Sequence, residues 1–195
     1  MKYSFLFIPL AFALAGCPFE SNVPLAERPM QSVDSSLIGY WYGIVRDGSD
    51  YFGVEALDIG RDSDSTYSIV RYGKAVKGDM ILPDTSHFTG YVVYLDNEPY
   101  LNIMSTVVSV TTRGKKKEPV VSTQRIYHFA NFSLRNDTLT VRTVSENFSP
   151  VKKTFRDPAE LRQALVAARG QGSLFDDLFS LSYRRIPRPG TMKGF

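Results

Sequence analysis

Few side chains in this 195-residue sequence have the type and setting for chemistry, and the first of them is its single cysteine. Cys17 follows Leu14-Ala15-Gly16 at the end of an apolar run that opens with one cation, Lys2. A cationic start, an apolar centre from about Phe5 to Leu14 and small residues at the exit describe a secretory signal peptide. A membrane-spanning helix needs about 20 apolar residues, and Pro18 and Glu20 end this run sooner. One cysteine allows no internal disulfide and no thiolate metal cluster. The two histidines, His87 and His128, fall inside runs that read as strands. A metal site would need both, with carboxylates gathered by the fold, and none is expected. Asp62, Asp64 and Thr66 have the one-three-five spacing of a calcium loop, but Tyr67 holds the sixth position, where Gly is required, and no Glu closes the loop. There is no Gly-x-Ser-x-Gly elbow, phosphate loop or Gly-x-Gly-x-x-Gly. Asp176-Asp177 reads as a solubility feature rather than a catalytic pair. These patterns point away from an enzyme and from a cofactor.

The chemistry left is that of Cys17 itself. Leu14-Ala15-Gly16-Cys17 resembles the lipobox of bacterial lipoproteins, in which the thiol is diacylated, the peptide is cut before the cysteine and the new amino terminus is acylated as well. Each buried methylene contributes about 0.8 kcal/mol, so several chains anchor stably where one would not. The resemblance implies a signal peptide over residues 1–16, lipidation at Cys17 and a membrane partner reached through the acyl chains. In enteric bacteria an Asp after the cysteine favours the inner membrane. Pro18 stands there, which implies the outer membrane, facing the periplasm.

Cleavage before Cys17 leaves 179 residues, enough for one domain with a substantial core. Aromatics make up 13 % of the chain, with 11 Tyr and 13 Phe, and Val, Ile and Thr recur in short runs, as strands require. The net charge of +3 hides an asymmetry. Residues 17–100 carry 6 Lys and Arg against 13 Asp and Glu, a balance of −7, whereas residues 101–195 carry 16 against 7, a balance of +9. Interleaved in one sheet the two halves neutralise each other; segregated, the basic half suits an anionic membrane surface. Nucleic acid is not a partner expected of an exported, acylated chain.

The elements that must position any site follow in order. Residues 17–36 contain Pro18, Pro24 and Pro29 and no period, which predicts a lipidated tether. The run Leu37 to Val45 is apolar on both faces and holds Gly39 and Gly43, as in a first strand passing close to a large ring. Tyr51 to Ile59 and Thr66 to Arg71 form a hairpin across a polar tip, and Tyr72 to Thr85 reads as looser because of Gly73, Gly78 and Pro83. His87 to Leu95 and Tyr100 to Thr112 form a second hairpin across Asp96-Asn97-Glu98-Pro99. Arg113, Lys115, Lys116 and Lys117 make a basic tip at residues 113–119, a solvated turn or a contact for an anionic surface. Val120 to Leu134 and Thr138 to Val144 are strands around Arg135-Asn136-Asp137. Asp157 to Arg169 is predicted to be helical: Asp157 caps, Pro158 suits the first position, Glu160 completes a capping box, and Leu161, Leu165 and Ala168 make one apolar stripe. Phe179 to Ile186 is a last strand, and residues 187–195 read as a flexible tail.

Gly39-Tyr40-Trp41-Tyr42 is similar to the Gly-x-Trp motif of lipocalins. Leu37-Ile38-Gly39-Tyr40-Trp41, Pro99-Tyr100-Leu101-Asn102-Ile103 and the Asp-Pro-x-Glu-Leu helix followed by Leu-Phe-Asp and Arg-Arg-Ile resemble a family of uncharacterised bacterial lipoproteins. The expectation is a single β-rich domain over residues 37–186: an antiparallel lipocalin-like barrel or strongly curved sheet of six to nine strands, with one capped helix outside. Eight or so strands can close around one small ligand. Trp41, Tyr51, Phe52, Tyr67, Tyr91 and Tyr94 are the rings expected to line such a pocket or fill the core. The expected function is binding of a small apolar or amphipathic molecule by an envelope lipoprotein. The alternative is a structural or protein-interaction role through a sheet edge or the 113–119 loop.

Overall fold

Two tight links define one end of the molecule. Asp96 (φ 47°) and Asn97 (φ 67°), and Asn136 (φ 46°) and Asp137 (φ 58°), all lie in the left-handed region. Two successive residues of that kind make the hairpin turn whose twist matches the flanking strands, and Asn and Asp tolerate it best. The structure, a computed structural model, describes residues 18–46, 52–77, 80–113, 118–148 and 154–188.

Eight strands run in sequence order: β1 (Gly39–Arg46), β2 (Phe52–Arg61), β3 (Tyr67–Lys77), β4 (Met80–Leu95), β5 (Glu98–Arg113), β6 (Glu118–Arg135), β7 (Thr138–Val144) and β8 (Phe175–Ile186). Each pairs antiparallel with the next, and β1 closes the ring on β8 through Tyr40↔Ile186 and Gly43↔Tyr183. The result is a closed eight-stranded antiparallel barrel, compatible with a lipocalin-like barrel, with one helix, α1 (Pro158–Ala168), outside it. Closure leaves free edges only where a strand runs past its neighbour, as β4 does before Thr89 and β5 after Met104.

The α1 expectation holds at the Asp157 cap, while Glu160 reaches back one residue past the cap instead of closing the expected capping box. The Asp157 carboxylate accepts from the Glu160 amide at 2.9 Å, and the Glu160 carboxylate accepts from the Arg156 amide at 2.8 Å. Leu161, Leu165 and Ala168 are buried. Arg162 and Arg169, beside that apolar stripe, reach back to backbone: Arg162 donates to the Leu25 carbonyl at 2.9 Å and Arg169 to the Leu95 carbonyl at 2.9 Å. Their long stems let the charge leave a helix face and still hold backbone.

Three expectations are corrected. Residues 18–36 are not a loose tether: Phe19, Leu25 and Val33 are buried, and Ser21 exchanges both backbone hydrogen bonds with Tyr127 on β6, at 2.9 and 3.0 Å. Proline content misled because the segment is ordered by the barrel wall it lies on, not by itself. Residues 72–85 are strand: β3 runs through Gly73 to Lys77, and β4 starts at Met80. Pro83 is accommodated because that part of β4 pairs with β3 alone, β5 joining only from Thr89↔Met104 onward, and a strand edge tolerates a missing amide hydrogen. The last strand, expected from Phe179, begins earlier, at Phe175.

Two apolar clusters result. One lies inside the barrel around Trp41, Ile59, Tyr67, Ile69, Leu139 and Tyr183. The other lies on the outer face of β4 to β7, where Phe19, Leu25, Tyr100, Phe129, Leu161 and Leu165 pack under α1 and the N-terminal segment.

Candidate functional site

The barrel is closed at the end where β1 begins. A 3₁₀ turn, Ser35–Leu37, crosses that end, and Asp34 caps it by accepting from the Ser36 amide at 2.8 Å. Trp41 lies beneath the turn, fully buried, its indole N–H donating to the Leu37 carbonyl at 2.9 Å. Arg185 on β8 lays its guanidinium over the Trp41 ring, 4.3 Å from the centroid, and donates to the carbonyls of Ile38, at 2.7 Å, and Ser36. Gly39 makes this possible: its φ is +152°, and a Cβ there would sit 2.8 Å from an Arg185 nitrogen. Tyr67 ties the floor to the same turn by accepting from the Asp34 amide at 2.7 Å, and burial pushes its phenol up.

Above this floor the interior is not filled. A cavity of about 370 Å³ is lined by inward residues of β2 to β8, chiefly apolar ones such as Leu57, Ile69, Phe88, Leu101, Phe132 and Leu181. Period-two alternation puts Glu55, Leu57 and Ile59 on one face of β2 and Tyr67, Ile69 and Arg71 on one face of β3. The cross-strand registers Leu57↔Arg71 and Ile59↔Ile69 bring those faces together inside.

That alternation delivers two charges to an apolar interior. Glu55 is only 5 % exposed and lines the cavity. Its carboxylate accepts from Arg71 Nε at 2.7 Å and from the Tyr183 hydroxyl. Arg71 Nη1 in turn reaches Asp84 of β4 at 3.2 Å. Two glycines leave room: a Cβ on Gly43 would stand 2.8 Å from the Tyr183 ring, and one on Gly73 would stand 3.0 Å from Arg71 Nη2. Burial pushes the Tyr183 phenol far up, and the neighbouring Glu55 charge and hydrogen bond add to it, so the group stays a donor. Across the cavity His128 of β6 is held below its ordinary value by burial, against the pull of Glu20 and the Phe19 backbone. Its Nδ1 is buried with no hydrogen-bond partner among the described residues. Pro18, the residue after Cys17, also lines the cavity.

The six rings expected at a pocket are dispersed. Tyr67 lines the cavity, and Trp41 fills the closed end below it. Tyr91 is corrected to the outer face, where its hydroxyl donates to the Ala26 carbonyl; burial, with Tyr127 nearby, pushes that phenol up to about 12. Tyr94 is corrected to the rim of the closed end, 54 % exposed. Tyr51 lies outside the described residues, and Phe52 is described only as the first residue of β2. Arg113 ends β5, while Lys115, Lys116, Lys117 and Cys17 lie outside the described residues.

Glu55, Arg71, Tyr183 and Arg185 were not anticipated. Their signal was a charge or hydroxyl on the same parity as apolar residues within a strand, legible only once the inward parity of each strand is known. Among the described residues no group of three His, Cys, Asp or Glu could hold a metal ion, and no helix is long and apolar enough to cross a membrane. The chain matches no protein-family model, and no curated protein or solved structure matches it significantly.

Proposed function

We propose that the protein is a membrane-anchored envelope lipoprotein, akin to lipocalins and to the uncharacterised lipoproteins its motifs resemble, that holds a small apolar or amphipathic molecule in its barrel. The supporting observation is the cavity: about 370 Å³, apolar over most of its lining, with a few convergent polar groups. That is the size and chemistry of a small-molecule pocket. Pro18 supports the membrane half of the reading. A residue spans about 3.8 Å, so lipid chains on Cys17 would begin one residue from the cavity wall. The role is binding without catalysis, at the outer membrane facing the periplasm.

Diphenylhexatriene, a rod without a polar group that fluoresces only out of water, tests this directly. The mature chain carrying Cys17→Ser, which cannot be acylated, should raise its fluorescence saturably with one site per chain, and solvent extraction of the native lipoprotein should release a lipid-like molecule. A flat titration together with an empty extract would refute the reading.

One observation favours the structural or protein-interaction alternative. Beyond Met104, β5 pairs only with β6, and Val107, Val108 and Val121 stand exposed on that ribbon, Val108 by 61 %. If a partner docks there, Val108→Lys removes it from the crosslinked set, and an unchanged set excludes the ribbon.

A further inference from the structure

The polar cluster in the cavity restricts which amphipathic molecules can bind, an inference that rests on the binding reading above. Among the described residues Arg71 is the only lysine or arginine on the cavity lining. It is flanked on both sides, Nε on Glu55 at 2.7 Å and Nη1 on Asp84 at 3.2 Å. One guanidinium between two carboxylates leaves a formal charge of −1. Tyr183 spends its only hydroxyl hydrogen on Glu55. His128, the other basic side chain on the described lining, is held below its ordinary value by burial, which disfavours its charged form. Ser86 turns to Asp84 at 3.4 Å and so adds no free donor. On the acceptor side there is capacity to spare. A carboxylate offers about four lone-pair sites, and Glu55 uses two of them.

We propose that the cavity takes a molecule with an apolar body and a hydrogen-bond-donating head, an ammonium above all and a hydroxyl next, seated against Glu55, and that it discriminates against carboxylate and phosphate heads. An anionic head would meet a guanidinium whose charge is already offset by two carboxylates, and the cluster's formal charge of −1 would repel it. A donor meets free lone pairs on the Glu55 carboxyl group, which has two acceptor sites to spare.

Displacement of bound diphenylhexatriene by dodecylamine, 1-dodecanol, dodecanoate and dodecyl phosphate, all below their micellar concentrations near neutral pH, separates the heads at constant chain length. Dodecylamine should displace at a concentration about tenfold or more below that of dodecanoate, with the alcohol between them. Glu55→Gln should abolish the preference. Asp84→Asn is the safer variant, because Asp84 is partly exposed and its loss leaves the Glu55 contacts in place; it brings the cluster to neutrality and should narrow the amine-to-acid ratio without weakening the alcohol. If the acid or the phosphate displaces as well as the amine does, or if Asp84→Asn leaves the ratio unchanged, the inference is wrong while binding stands. If diphenylhexatriene never binds, both fall together.

Discussion

Arg185 holds the closed end, and its removal measures how far that end supports the barrel. The side chain stacks on Trp41 at 4.3 Å and donates to the Ile38 carbonyl at 2.7 Å and to the Ser36 carbonyl. It also lies 3.6 Å from Asp137 in the β6–β7 turn, an exposed pair that contributes little. Hydrogen bonds to a charged group are worth about 1.5–3 kcal/mol each, and a cation over an aromatic face about 0.5–2. Arg185 is about one-third exposed, so the low end of each range applies, and Arg185→Ala should cost about 3 kcal/mol. In a domain of this size that is a fall in melting temperature of about 6–12 °C. Urea unfolding followed through Trp41, the single tryptophan, reads the loss as a shift of midpoint at unchanged slope. Arg185→Lys keeps the charge but not the planar fork, and should recover less than half. Arg185→Met keeps the stem over the ring and isolates the polar part. An Arg185→Ala protein within about 0.5 kcal/mol of the parent, or full rescue by Lys, would refute this account of the closed end.

Other expectations concern the remaining layers. Leu165→Ala, under α1 on the outer wall, should cost about 2–5 kcal/mol in urea unfolding yet leave diphenylhexatriene affinity unchanged below the transition. Val141→Phe puts four more carbons into the cavity; binding should weaken by about tenfold or more while stability moves by less than the 1–3 kcal/mol typical of overpacking a filled core, and a loss in that range would mean the interior is solid. His128 has a folded pKa depressed by burial, whereas the unfolded side chain titrates near 6.5, so the unfolded chain gains protons first as pH falls. Stability should drop below that pH by at most about 1.4 kcal/mol per unit. His128→Gln should remove this part of the slope between about pH 7.5 and the folded value, and an unchanged slope would show that His128 is not responsible. Cys17→Ser should abolish palmitate labelling in cells, and continued labelling would refute lipidation at that residue.

Period and punctuation were enough to read most of the antiparallel strands and the helix from the chain, while the barrel was expected from the lipocalin resemblance, beside a strongly curved sheet. Alternation in residues 138–144, the paired turn residues at 96–97 and 136–137, and the Asp157 cap are local signals with local causes. The strands of residues 72–85 were missed because Gly73 and Pro83 weaken a strand only where its ladder is full, and here one edge is free. The tether was misread for a different reason. Phe19 and Leu25 are two apolar residues in a polar, Pro-bearing stretch, too few to order it alone, and the surface that receives them comes from Phe129, Tyr100 and Leu161, far along the chain. The site itself was hardest to see. Ring count favoured Tyr91 and Tyr94, but ring type does not decide which way a strand residue points. Tyr91 carries the outward parity of β4 and Tyr94 lies at the rim, whereas Glu55 and Arg71, which composition would send to solvent, share the inward parity of their strands.

The two apolar clusters explain why the interior can stay open. An apolar side chain contributes according to the area it removes from water, wherever it is buried. Among the largest fully buried side chains, Trp41 and Tyr67 lie in the interior cluster, while Tyr100, Phe19, Phe129, Leu25, Leu161, Leu165, Leu174 and Val144 lie in the outer one. Most of the deep burial therefore sits on the outer wall, where α1 and the N-terminal segment supply the second layer that a barrel normally finds inside itself. This frees β2, β3 and β8 to carry Glu55, Arg71 and Tyr183 toward a cavity that a single-core barrel of this size would need to fill. It also makes the first residues after Cys17 part of that layer: Phe19 packs in the outer cluster, and its amide donates to the Val144 carbonyl at 2.8 Å. The described chain therefore begins on the wall of the cavity rather than apart from it, and Phe19→Ala should loosen that wall as well as the outer cluster.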